Sequence, residues 1–413
     1  MKSINILTYN ILFLFILSPL LSYIFNDFLG NRTITFYYRI LFWVYGFIYI
    51  FLAFINHKKL KLTKATYYII AYAVFLVAYS LFNGELERRG IVNIIINNVN
   101  LTTAFTIIII NNTTFTDKFI KKMVEIIKIT IIVTAIVSLI QVVKPSFMAA
   151  TFYKDVNLVK QSIYSIRRAS IFGYWPNAFG LSYIPLLSLF VGAHIYFRKR
   201  FLSLFLLFGG VSSFLTNTRY IMIAFVLLTL QVLFDNKKKM RKVFKYIIIA
   251  SILLFFIYQV LSFFGYNIAD WYYTRLFAEG SIEETTRYKA IENFLIVFPE
   301  HRWFGTGVGM TDEIKALSNA VGSSQIHVGY LAHLVYWGLV GSFLLFGFWF
   351  QVILRFYRNA KKTAYWGSFF AFLTFLWANV TLVHFSIFNY GLIFAFVFDK
   401  YFMDKYNNRL KNE

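Results

Sequence analysis

Residues 201–234 read FLSLFLLFGGVSSFLT, then NTR, then YIMIAFVLLTLQVLF: two uncharged apolar runs around a short polar turn. Neither run alternates polar with apolar residues as a half-wet strand does, so each reads as a helix that satisfies its own backbone in lipid. Both are short against the roughly 20 residues a helix needs to cross a bilayer. They are expected to be tilted or partly re-entrant about the Asn217-Thr218-Arg219 turn.

The rest of the chain has the same character. Of its 413 residues 59% are hydrophobic, and the mean hydropathy is +0.62. A soluble domain cannot hide that much apolar surface, so the expected fold class is all-α, a single polytopic membrane domain over residues 1–413. About twelve spans can be counted. They run Ile6–Phe25, Ile34–Ile55, Ala65–Phe82, Ile91–Ile110, Met123–Val143 and Asn177–Phe197, then the two runs quoted above. Phe244–Phe264, His327–Leu354, Trp366–Leu382 and Phe385–Phe402 complete the set. The fourth is the most polar, with Asn93, Asn97, Asn98 and Asn100. The first lacks a small-residue cleavage site and reads as a retained helix. With no Cys there is no disulfide, thiol nucleophile or Cys metal site.

Basic residues test the count. With a cytoplasmic N-terminus, Lys58–Lys64, Lys118–Lys122, Arg198–Arg200, Lys237–Lys245, Arg355–Lys362 and the tail from Lys400 all fall on one side. Such alternation is what the positive-inside rule demands, and it puts the C-terminus in the cytoplasm as well. Most of the net charge of +23 is then topological, and no nucleic-acid partner is implied.

Two outer loops are long, 144–176 and 265–325. The first sets Lys144, Lys154, Lys160, Arg167 and Arg168 against one acid, Asp155, a bias that opposes the topology rule and suits an anion site. It ends Arg168-Ala-Ser-Ile-Phe-Gly-Tyr-Trp-Pro176-Asn177, where Pro suits a first helical turn and Asn a cap. Arg219 follows a span end directly. In the second loop, a helix through 283–298 would bring Ile291, Phe294 and Phe298 within about 40° of Arg287, setting a guanidinium on an apolar stripe. That position is costly unless an anion or a carboxylate such as Glu284 meets it.

The run Gly305-Thr306-Gly307-Val308-Gly309 has neither the preceding strand nor the Lys-Ser/Thr ending of a nucleotide loop; it suits a tight turn or a close backbone approach. His327 opens the tenth span, with Gly338 and Gly341 within about 40° of it on a helical wheel and His333 about 120° away. No histidine pair at metal spacing results. No Asp or Glu lies in the middle of a span, against the habit of proton-coupled transporters.

Together these pieces resemble the bacterial O-antigen ligase and polymerase superfamily (the Wzy type). Arg168–Asn177 resembles its Arg…Gly…Pro-Asn signature, and Thr216–Arg219 its Ser-x-Ser-Arg turn. Arg287–Gly309 resembles its Arg…Pro…Gly-x-Gly-x-Gly stretch. His327, Gly338 and Gly341 repeat the spacing of a ligase motif, although Val328 stands where that motif has Asn, Ser or Gln.

The resemblance implies a metal-independent membrane glycosyltransferase without a cofactor, in the bacterial cytoplasmic membrane. It would join oligosaccharide repeats carried on undecaprenyl pyrophosphate into capsule, O-antigen or a similar polysaccharide at the outer face. Membrane lipid and a regulator of chain length are the other implied partners. It implies that Arg168, Arg219 and Arg287 hold the pyrophosphate, with Arg167 a neighbour. The acceptor hydroxyl needs a base: His327 has a suitable pKa, and Glu283, Glu284 or Asp312 are substitutes. A ligase acting on a lipid-linked glycan, and a flippase or transporter, are the alternative readings.

Overall fold

A computed structural model of the chain describes residues 8–12, 34–56, 59–82, 98–143, 176–198, 200–216, 219–235, 259, 262, 286–307, 328–380 and 392–413. In chain order its helices are α1 (Ile34–Ile55), α2 (Lys64–Phe82), α3 (Val99–Asn112), α4 (Asp117–Val143), α5 (Pro176–Tyr196) and α6 (Leu202–Leu215). They continue with α7 (Arg219–Asp235), α8 (Thr286–Val297), α9 (Gly329–Thr363), α10 (Gly367–Ala378) and α11 (Leu392–Asn412). The described residues contain no strand. The expected first span is represented only by 8–12, and the ninth only by Gln259 and Ser262. Arg167, Arg168, Glu283, Glu284, Asp312 and His327 lie outside the described residues, as does the first long loop up to residue 175.

The exposed faces of these helices are apolar. On α1, Val44, Phe47, Ile48, Phe51, Phe54 and Ile55 recur at helical spacing on the outside, Phe54 at 80% exposure, while Tyr45, Tyr49 and Ala53 face inward. On α4, Ile129, Val133, Ile136 and Ile140 are the exposed set, and Thr134, Ser138 and Gln141 are buried. This is the soluble amphipathic pattern turned inside out, and only a lipid surround makes it stable. Lys64–Phe82, Asp117–Gln141 and Gly329–Thr363 are long and apolar enough to cross a membrane, and shorter apolar helices accompany them. The chain is a helical membrane protein; about twelve crossings stays an expectation from sequence.

The chain divides into two compact units. The first comprises residues 1–114, 280–355 and 376–389; the second comprises 115–279, 356–375 and 390–413. In the second, α5 packs against α4, α6, α7 and α11. Its stretch from Tyr183 to Ala193 is buried on every side. Gln231 on α7 accepts from Ser188 Oγ at 2.7 Å and donates to the Ser188 carbonyl at 2.9 Å, tying α7 to α5. Gly192 lets the α10 backbone approach, since a Cβ there would sit 2.7 Å from the Gly367 nitrogen.

In the first unit, α3 packs against α1 and α2. Asn98 accounts for one of the four asparagines of the expected fourth span. Its side chain caps α3 by accepting from the Asn100 and Leu101 amides, and it donates to the Ala73 carbonyl at 2.9 Å. Among the described residues the helix of the expected fourth span begins at Val99, the tenth and last run on to Thr363 and Asn412, and two helix starts also differ. Helix α4 begins at Asp117, six residues before its apolar run, with the Thr116 hydroxyl accepting from the Phe119 amide. Asn177 is the second residue of α5 and not its cap, while Pro176 takes the first position as expected.

Candidate functional site

The most informative geometry lies in α9, where the sequence predicts one straight crossing. Gly338 interrupts it at φ 59°, ψ −166°, a conformation essentially reserved for glycine. The two arms, residues 329–337 and 339–363, then fold back on each other. Tyr330 lies with its ring 5.9 Å from Trp349, and His333 lies 5.2 Å from the same indole and 6.0 Å from Phe346. Nineteen residues of straight helix would separate Tyr330 and Trp349 by about 28 Å. The tenth span is therefore a helical hairpin. Residues 339–363 make the long arm and residues 329–337 the short one.

A break of this kind frees backbone groups that lipid cannot satisfy, each at a cost of several kcal/mol. The Gly-rich turn after α8 supplies the partners. The amides of Thr306 and Gly307 donate to the carbonyls of Val335 and Tyr336, both at 2.9 Å. In return the amides of Leu339 and Val340 donate to the carbonyls of Arg302 and Trp303, at 2.7 and 3.1 Å. The Tyr79 hydroxyl on α2 donates to the Gly305 carbonyl at 2.8 Å, and its ring meets Trp337 edge-on at 5.9 Å.

Two glycines make the approach possible. A Cβ on Gly338 would collide with the Trp303 backbone, and one on Gly305, itself at φ 76°, would collide with the Tyr336 backbone. Gly341 is packed against Phe75 of α2, with a Cβ there only 2.5 Å from the ring. Gly341 is thus a position of close helix packing. The wheel face expected for Gly338 and Gly341 does not hold, because the break at Gly338 resets the helical phase between the arms, and His327 lies outside the described residues. The Gly305–Gly307 turn is close backbone approach of the kind the sequence suggested, with the hairpin apex as what it approaches.

The same turn fastens α8, which it follows directly. Arg287 is the second residue of α8, so one end of this fastened segment carries the arginine. Asn293 and Val297 bury the inner face of α8. Phe294 and Phe298 are half-buried and stacked at 4.8 Å, and Ile291 is exposed. The stripe that shares its register with Arg287 is thus apolar, as expected, but open on its outer side. Arg219 is the first residue of α7, in the second unit, and the Asn217-Thr218 turn before it lies outside the described residues. His333 is fully buried in the hairpin.

Sequence reading passed over three groups here: Tyr79, Trp337 and Ser342. Trp337 Nε1 and Ser342 Oγ flank the break, both buried without a hydrogen-bond partner among the described residues. Glycines at 338 and 341 inside an apolar run were the available signal, since an isolated glycine in a helical pattern marks either close packing or a break.

Residues 202–346 match the family model for O-antigen ligases. The matched segment takes in Arg219, Arg287, His327 and the whole hairpin apex, and leaves out Arg167 and Arg168. It bears out the resemblance to the O-antigen polymerase and ligase superfamily, and with it the reading as a membrane enzyme of lipid-linked glycan processing. Comparison with curated proteins gives no match.

Proposed function

We propose that this chain is a glycosyltransferase that polymerises oligosaccharide repeat units carried on undecaprenyl pyrophosphate at the outer face of the bacterial cytoplasmic membrane. One observation carries the reading. The Arg287–Gly309 segment and the segment opened by His327 resemble one family's motifs separately, and four backbone hydrogen bonds join them at the hairpin apex. A device that fixes an arginine-bearing helix to a broken membrane helix suits a substrate with a charged group at the lipid boundary.

In the proposed reaction the bond from the anomeric carbon to the pyrophosphate oxygen breaks, and its electron pair leaves on the phosphate. The acceptor hydroxyl oxygen bonds to that carbon and gives its proton to a base. Arg287, Arg219 and Arg168, with Arg167 beside it, stabilise the charge that grows on the leaving group, as fixed cations do in phosphoryl clamps. His327 is the base of first choice. Glu283 and Glu284, just ahead of α8 in the chain, are the substitutes.

The test is a gel of surface polysaccharide from a strain lacking this chain beside one expressing it. A single capped repeat in place of a ladder supports the polymerase. Finished polymer accumulating on its lipid carrier would make the chain a ligase, the reading that the matched family's description favours. Repeat units held on the cytoplasmic side would overturn both readings in favour of a flippase.

A further inference from the structure

We propose that α8 and the turn after it form an in-plane membrane anchor, with one flank of the segment immersed in the lipid interface. At about 100° per residue, α8 divides into three faces. Asn293 and Val297 are buried and form the protein face. The half-buried Glu292 marks a second face, which the exposed Ile296 shares, and the exposed Glu300 follows in the turn beyond the helix end. Between the first two on the remaining side run Phe294, Phe298, Ile291 and Leu295, the last 64% exposed. A helix lying in water needs only an inside and an outside. A third, apolar arc is what a helix lying at a lipid boundary requires.

The surface continues past the helix. Trp303 and Phe304 are both 57% exposed, and Arg302 lies over the Trp303 ring at 5.8 Å. An indole topped by a cation is at home in the interfacial region, where aromatic rings concentrate. The hydrogen bonds from Leu339 and Val340 to Arg302 and Trp303 set this turn beside the exposed Leu339, Val340 and Phe343 of the long arm. That arm is a membrane-crossing segment, so its exposed apolar side is a lipid surface, and the flank of the turn extends it without a gap. The occupant is therefore the bilayer itself.

One consequence concerns Arg287. Register places this position at the start of the lipid arc, one turn before Ile291, at the depth where phosphates of the headgroups lie. Only this consequence rests on the transferase reading, in which the same depth holds a lipid-linked pyrophosphate; the anchor stands independently of it.

The absence of Cys makes the test direct. Single variants Leu295→Cys, Phe304→Cys, Glu300→Cys and Phe343→Cys are spin-labelled and the full chain is reconstituted in vesicles of phosphatidylethanolamine and phosphatidylglycerol. Collision with oxygen, which partitions into lipid, is compared with collision with a water-soluble nickel chelate. The oxygen-to-nickel ratio is expected to be several-fold higher at 295 and 304 than at 300, approaching that at 343. A ratio at 295 and 304 equal to that at 300 would place the segment in water and overturn the anchor. Low collision with both reagents would mean that protein covers the flank, and would overturn it equally. Because α8 and the turn are probed by separate variants, failure of one to insert leaves the other to decide. A polymer ladder lost while the ratios stay high would bear on Arg287 and the transferase, not on the anchor.

Discussion

At the scale of single residues, the charged and the small positions make different demands. Arg287 shares a register stripe with exposed Ile291 and half-buried Phe294, where a guanidinium without an anion is poorly placed. Arg287→Ala is expected to abolish the polysaccharide ladder while leaving the protein at normal abundance in membrane fractions; normal chain length in that variant would remove Arg287 from the site. Arg168→Lys is expected to be severely impaired too, because a lysine gives a point charge where a guanidinium forks onto two oxygens. Full activity would reduce Arg168 to a headgroup or topology residue. Gly338 is a backbone matter. Alanine there meets the Trp303 backbone and a dihedral pair costing about 1–3 kcal/mol. Gly347→Ala, by contrast, displaces only the end of the Tyr68 ring. We expect Gly338→Ala to lower the thermal midpoint in detergent clearly more than Gly347→Ala; equal midpoints would mean that the apex is not strained. The sequence revealed that these glycines matter but not how, because small residues at Gly338 and Gly341 serve equally for close helix packing and for a broken helix.

At the scale of elements, helices were the legible part. Helix α1 begins and ends where its apolar run does, α2 differs from expectation by a residue at its start, and α7 by a residue at each end. Boundaries set by polar chemistry were harder to see: Asn98 read as a flaw in a span when it is the cap of α3, and Thr116 starts α4 ahead of its first apolar turn. The hairpin was invisible to periodicity, since wheel arithmetic assumes an unbroken helix and the bonds that permit the break come from a turn about thirty residues earlier. This geometry has a direct test. A short bis-maleimide is expected to join Tyr330→Cys to Trp349→Cys within one chain, because their parent rings lie 5.9 Å apart. On a straight helix the two positions would be about 28 Å apart, beyond the reach of such a reagent. Failure to cross-link, with the Tyr330→Cys and Tyr79→Cys pair as a comparison of two separate helices, would restore the single tenth span.

At the scale of the whole molecule, the hairpin bears on topology through parity. If the short arm 329–337 turns back before it crosses, 339–363 alone is expected to carry the chain across. On that expectation a probe should find the Gly-rich turn and the basic end of α9, with Lys361 and Lys362, on opposite sides of the membrane. Positive-inside logic assigns Lys361 to the cytoplasm and Glu300 to the outer face. In the Cys-free chain, Glu300→Cys is expected to react with a membrane-impermeant maleimide in intact cells, and Lys361→Cys and Asn412→Cys only after permeabilisation. Reaction of both 300 and 361 from outside would mean that α9 does not cross, and the lipid-facing reading of Leu339, Val340 and Phe343 would fall with it. Reaction of 361 alone from outside would keep the crossing and invert it. The Gly-rich turn would then face the cytoplasm, where no polysaccharide is assembled on the cell surface, and the proposed reaction would lose its acceptor.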